Sequence, residues 1–104
     1  MKRVAFKMYL KEGYKEEYRK RHNELWPEVS DLLKKSGISE YSIFLDERTH
    51  ALFAVQTVSH AEGSQSLGHQ EIIQKWWDYM SDIMEVNPDN SPVSEELESM
   101  FYLK

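Results

Sequence analysis

Apolar side chains recur at every second position near the start of the chain. Val4, Phe6, Met8 and Leu10 alternate with Arg3, Ala5, Lys7 and Tyr9, the period of a strand. Gly13 breaks this run, and from Tyr14 to Ser36 the period becomes helical. Drawn at about 100° per residue, Tyr14, Tyr18, Leu25, Trp26, Val29, Leu32 and Leu33 fall within an arc of roughly 120°. Arg19, Lys20, Asn23, Ser30 and Lys34 lie on the far side. Pro27 cannot donate to the carbonyl of Asn23, so a kink or short break is expected around Asn23–Trp26. Gly37 is placed to end the helix as a left-handed cap.

Alternation returns in two strands, Tyr41 to Asp46 and Ala51 to Val58, joined by a hairpin turn over residues 46–50. His60 to Gly68 is polar and rich in small residues, the mark of a loop or a weak helical turn. A second helix is expected from Glu71 to Met84. The run Asn87-Pro88-Asp89-Asn90-Ser91-Pro92 cannot be regular structure. Ser91 followed by Pro92 predicts the N-cap and first position of a short helix, and Phe101-Tyr102-Leu103 a closing strand.

The resulting order, β-α-β-β-α-β, is the ferredoxin-like sandwich of the α+β class. Such a sheet carries its helices on one face. Here both strand faces are apolar: Ile43 and Leu45 against Phe44, Leu52 and Ala54 against Phe53 and Val55. Pairing with a second copy would cover the face the helices leave bare. A chain of 104 residues is expected to form one domain, residues 1–104.

His22 stands near the centre of the apolar arc of the first helix, one turn from Tyr18 and from Leu25 and Trp26. An ionisable ring beside a phenol on such a face suits proton transfer near neutrality. The plainer reading is a core histidine bonded to a backbone carbonyl. Trp76 and Trp77 point about 100° apart on the second helix. They flank the stripe of Ile73, Met80 and Met84, so at least one should line a cleft and stack on a ligand rather than fill the core.

Composition narrows the chemistry further. Lys15, Arg19, Lys20 and Arg21 crowd one stretch, but Glu16, Glu17 and Glu24 lie among them and the net charge is −5. That reads as a solvated helix face, not a nucleic-acid footprint. The absence of cysteine removes disulfides, thiolate nucleophiles and Cys-based zinc sites. His22, His50, His60 and His69 match no metal-ligand spacing, and His50 and His60 fall in expected surface turns. Asp78 and Asp82 lie on the polar side of their helix and read as solvated. No glycine-rich phosphate loop or serine elbow is present. No stretch approaches the roughly 20 apolar residues of a membrane span, and the N-terminus lacks the apolar run of a signal peptide. The expected compartment is the cytoplasm. What survives is acid–base chemistry by His22 and a tyrosine on a small neutral ligand.

Three segments carry a resemblance. Tyr18-Arg19-Lys20-Arg21-His22-Asn23-Glu24-Leu25-Trp26-Pro27-Glu28, Trp76-Trp77-Asp78-Tyr79-Met80, and Asn87 through Ser94 with Phe101-Tyr102-Leu103 resemble the L-rhamnose mutarotases. The resemblance spans essentially the whole chain. It implies a cofactor-free, homodimeric sugar epimerase of the dimeric α/β-barrel type that interconverts the α and β anomers of L-rhamnose. It also implies that His22 is the general acid, and that Tyr18, Tyr41, Trp76 and Trp77 contact substrate. Two other classes stay open on the residues alone. One is a cofactor-free monooxygenase or haem-handling enzyme of the same barrel type; the other is a non-catalytic sugar-binding dimer.

Overall fold

The computed structural model describes residues 1–59 and 63–104. Strand β1 (Lys2–Tyr9) is followed by helices α1 (Lys15–Asn23) and α2 (Pro27–Lys35). Strands β2 (Ile38–Asp46) and β3 (Ala51–Val58) then form a hairpin. A 3₁₀ turn (Ser64–Ser66), helix α3 (Glu71–Met80) and strand β4 (Glu95–Leu97) complete the order. The sheet is antiparallel in the order β2-β3-β1-β4. This is the ferredoxin-like α+β arrangement, with the first helix split in two.

The split falls where the proline put it. Trp26 is extended (φ −60°, ψ 130°), as a residue before proline prefers. Pro27 then opens α2 at a position whose N–H would have no helical partner. The Trp26 carbonyl takes over as first acceptor, bonded by the N–H groups of Val29 (3.0 Å) and Ser30 (3.1 Å). Gly37 sits beyond α2 at φ 84°, a backbone that a side chain would strain.

Phe6 and Met8 from β1, Leu10 just beyond it, Leu52 and Ala54 from β3, Val29 from α2 and Ile73 and Met80 from α3 lie in the core. Burying each large side chain contributes roughly 1.5–3 kcal/mol. The opposite sheet face stays bare in the single chain: Phe44 is 65% exposed, Phe53 37% and Leu97 39%.

Four expectations need correction. Strand β2 begins at Ile38, not Tyr41, because a bulge hides its first residues from the alternation: Ser39 pairs with Thr57 and Ser42 with Val55. Helix α3 stops at Met80, not Met84. Arg21 takes the Tyr79 carbonyl (2.7 Å), and Met84 leaves the helix to bridge Leu10. Ile83 and Met84 stay buried, so their spacing could not reveal the helix end. No helix follows Ser91. Its hydroxyl is turned back on Asp89 (2.5 Å) and accepts from the Asn87 amide (3.0 Å), and Pro92 bridges Val86. The chain runs on extended into β4, which pairs with β1 through Lys7 and Glu95. Phe101-Tyr102-Leu103 forms no strand; the Arg3 guanidinium lies 4.2 Å from the Tyr102 ring centroid.

Candidate active site

A cavity of about 840 Å³ opens between the helices and the β2 side of the sheet. That lies within the roughly 300–1,000 Å³ range of small-molecule sites. Its walls are apolar, built by Met8, Leu10, Ile43, Leu52, Ile73 and Met80 among others. All five residues singled out from the sequence line it: Tyr18, His22, Tyr41, Trp76 and Trp77. They come from α1, β2 and α3, so only the folded chain assembles them.

Helix α1 aims His22 by its own backbone. The ring Nδ1–H donates to the carbonyl of Tyr18, one turn earlier, at 3.1 Å. A carbonyl can only accept, which fixes the tautomer and leaves Nε2 as the unprotonated nitrogen of the neutral ring. Among the described residues Nε2 has no hydrogen-bond partner. The carbonyl bond is the one expected of a structural histidine, yet it uses only one ring nitrogen and leaves the other for the cavity. Tyr18 packs against the imidazole (4.4 Å between centroids), and Trp76 meets it edge-on (5.6 Å, 88°). Burial lowers the His22 pKa from its ordinary value, against the smaller opposing pull of the Tyr18 carbonyl. Burial therefore favours the neutral ring at pH 7.

The two phenols are held as hydroxyls. Burial raises the Tyr18 pKa, and the nearby Tyr41 phenol adds to the shift. Burial also raises Tyr41, with hydrogen bonds from Ser64 and Gln56 pulling the other way. Each is a neutral donor and acceptor at any physiological pH.

The tryptophans differ from the expectation in one respect. Both are only 8% exposed, so both belong to the core and to the cavity wall at once. Trp76 joins a cluster with Trp26 (5.1 Å) and Tyr79 (5.6 Å) behind His22. Trp77 lies against Gly68, where a Cβ would come within 2.5 Å of the indole. Only glycine lets the loop approach that closely.

Sequence reasoning misreads one residue and misses two. Arg21 is no solvated charge: its side chain is 10% exposed, and it pairs with Glu17 (2.8 Å) and Asp82 (2.8 and 3.2 Å) and lies over the Tyr79 ring (4.4 Å). It clasps α1 to the end of α3. Asp82 serves as its partner, and Asp78 accepts from Gln74 and Asn90, both at 3.0 Å. The missed residues are Gln56 and Ser64, both buried. Gln56 left a trace, since it is the one polar residue in the inward row Leu52, Ala54, Gln56, Val58. His50 lies half-buried in the hairpin turn at φ 63°, and His69 is exposed; His60 lies outside the described residues. No three His, Asp or Glu side chains come together as a metal-binding group among the described residues, and no helix among them is long and apolar enough to cross a membrane.

One imidazole with a fixed tautomer, faced by hydroxyls across apolar walls, defines a small α+β protein with a pocket suited to proton transfer on a neutral ligand. Comparison with known proteins gives the kind. The L-rhamnose mutarotase family model matches residues 3–103. An L-rhamnose mutarotase of Formosa agariphila is 60% identical over 104 residues, covering all of both chains, and one of Bacteroides thetaiotaomicron is 61% identical over 103 residues, 99% of each. A crystal structure of an L-rhamnose mutarotase from Formosa agariphila superimposes with a TM-score of 0.91 at 55% identity, covering both chains completely. The chain belongs to the L-rhamnose mutarotase family, a family of carbohydrate isomerases. Neither alternative class finds support in these comparisons.

Proposed function

We propose that the cavity binds L-rhamnose and that His22 transfers the proton that opens and closes its ring. Mutarotation gives a proton to the ring oxygen and takes one from the anomeric hydroxyl; closure on the other face reverses both. The neutral ring of His22 takes the anomeric proton at Nε2 and, as imidazolium, gives it from Nε2 to the ring oxygen; closure carries the proton back the same way. Tyr18 and Tyr41 offer hydroxyls to the sugar, and Trp76 and Trp77 set flat apolar rings against its methyl group and C–H face. The observation that carries this reading is one cavity lined by all five side chains, with Nδ1 of His22 occupied and Nε2 left over.

The assembly we propose is a homodimer joined through the bare sheet face. A folded chain of 12.4 kDa is expected to expose about 6,100 Å². This one exposes 7073 Å². The excess is close to the ~800 Å² that each partner contributes to a standard interface. The compartment we propose is the cytoplasm, on the sequence expectation; fractionating cells that express the chain would check it.

Saturation-transfer NMR on equilibrated L-rhamnose tests the activity. Irradiating one anomeric proton should drain intensity from the other when the protein is present. Unchanged exchange at micromolar protein would sink the catalytic reading and leave a sugar-binding protein.

A further inference from the structure

Gln56 is a buried amide where the pattern calls for an aliphatic residue. It sits on β3, in the interior of the sheet, with no exposed surface. Its Oε1 accepts the Ser64 N–H at 3.1 Å, and its Nε2 donates to the Ser64 hydroxyl. Both ends of the amide thus engage one residue of the 3₁₀ turn. Gly63 makes room for this, since a Cβ there would lie 2.8 Å from Gln56 Oε1. A buried amide contributes less to a core than the leucine it displaces, so fold stability alone does not account for it.

The strand beside it is irregular at the same level. Between the pairs Ser39–Thr57 and Ser42–Val55, β2 holds two residues, Glu40 and Tyr41, opposite the single residue Gln56. Glu40 is left-handed (φ 49°), and its carboxylate accepts from the Thr57 hydroxyl at 2.9 Å. A bulge reverses the side-chain alternation of its strand. Ile38 and Ile43 therefore both pair with inward residues of β3, Val58 and Ala54. Tyr41 is delivered to the cavity, whose wall Ser64 shares, opposite Gln56 across the bulge; the Ser64 and Gln56 side chains also pull down a phenol pKa that burial raises.

We propose that Gln56, acting through Ser64 and the bulge opposite it, is a positioning residue that sets the direction in which the Tyr41 hydroxyl meets a sugar hydroxyl. This rests on the reading of the cavity as the L-rhamnose site. It makes the Tyr41 side of the pocket a substrate-orienting pole, separate from proton transfer at His22.

The test measures anomer exchange against L-rhamnose concentration for Ser64→Ala and Gln56→Met, alone and combined with Tyr41→Phe. Each single change should raise KM about five- to tenfold, the scale of one neutral hydrogen bond, with kcat altered by less than about threefold. With Tyr41→Phe in place, Ser64→Ala should add almost nothing, because its effect passes through the phenol. In sugar-free protein carrying ¹³C at tyrosine Cζ, Ser64→Ala should shift the Tyr41 resonance and leave Tyr79 unmoved. Full additivity with Tyr41→Phe, or an unmoved Tyr41 resonance, overturns the proposal. Should Gln56→Met fail to fold, the Ser64→Ala cycle decides alone. Should the wild type exchange no L-rhamnose anomers, it is the functional reading that fails, and the Tyr41 resonance still decides the positioning.

Discussion

At the scale of single residues, one nitrogen is asked to do the chemistry. If Nε2 of His22 transfers the proton, His22→Ala should slow anomer exchange by roughly the 10²–10⁴-fold of general acid–base catalysis, with sugar binding retained. His22→Gln should be nearly as slow, because an amide hydrogen-bonds without shuttling a proton; wild-type exchange in either variant would return His22 to a purely structural role. The same ring makes a stability prediction. Burial holds its folded-state pKa below the unfolded value of about 6.5, so protons bind preferentially to the unfolded chain. The His22 contribution is complete above that value and is lost progressively as pH falls through it toward the folded pKa. The urea midpoint should therefore drop between pH 7.5 and 5.5, and drop less in His22→Gln; equal slopes would contradict the burial argument. His22 is legible in the sequence because a titratable residue interrupts an apolar arc. Arg21 is not, because local charge spacing is the same whether a guanidinium points to solvent or across to Asp82 and Tyr79 on another element.

Elements set how closely these residues approach one another. The first helical pattern is legible down to its break, since proline acts on the backbone whatever the tertiary context. The end of α3 and the fate of Ser91 escape the sequence for the opposite reason. Tertiary partners decide both: Arg21 capturing a carbonyl, and Asp89 and Asn87 capturing a hydroxyl. The start of β2 is hidden by a bulge, which leaves residues apolar but changes their parity. The loop before α3 supplies the sharpest test at this scale. Gly68 touches the Trp77 ring so closely that a Cβ would force the indole or the loop to shift, and the indole lines the cavity. Gly68→Ala should cost about 1–3 kcal/mol of stability by overpacking and weaken L-rhamnose binding as the ring moves inward. Tryptophan fluorescence should respond less to the sugar than in the wild type. A Gly68→Ala protein with wild-type stability and sugar response would mean that the loop, and not the indole, gives way.

At the scale of the whole molecule, one face of the sheet stands bare. Phe44 and Phe53 face each other across β2 and β3 on the side the helices leave uncovered. The tail returns toward that side, with Tyr102 over Arg3 of β1, and its Met100, Phe101 and Leu103 are exposed too. A bare face of this size on a small sheet invites association, and a second copy presents the same apolar patch in a self-complementary pair. Sedimentation equilibrium at micromolar concentration should give twice 12.4 kDa. Phe53 is the residue to change, because it lies on the bare face and, unlike Phe44, does not line the cavity. Phe53→Glu places a carboxylate where the two sheets would meet, and a desolvated, unpaired charge costs far more than an interface of this size can offset. The variant should sediment as a monomer. All five site residues line the cavity of one chain, so L-rhamnose should still perturb the tryptophan fluorescence of that monomer. A Phe53→Glu protein that remains dimeric would move the interface off this sheet face, and a wild-type monomer would remove the homodimer altogether.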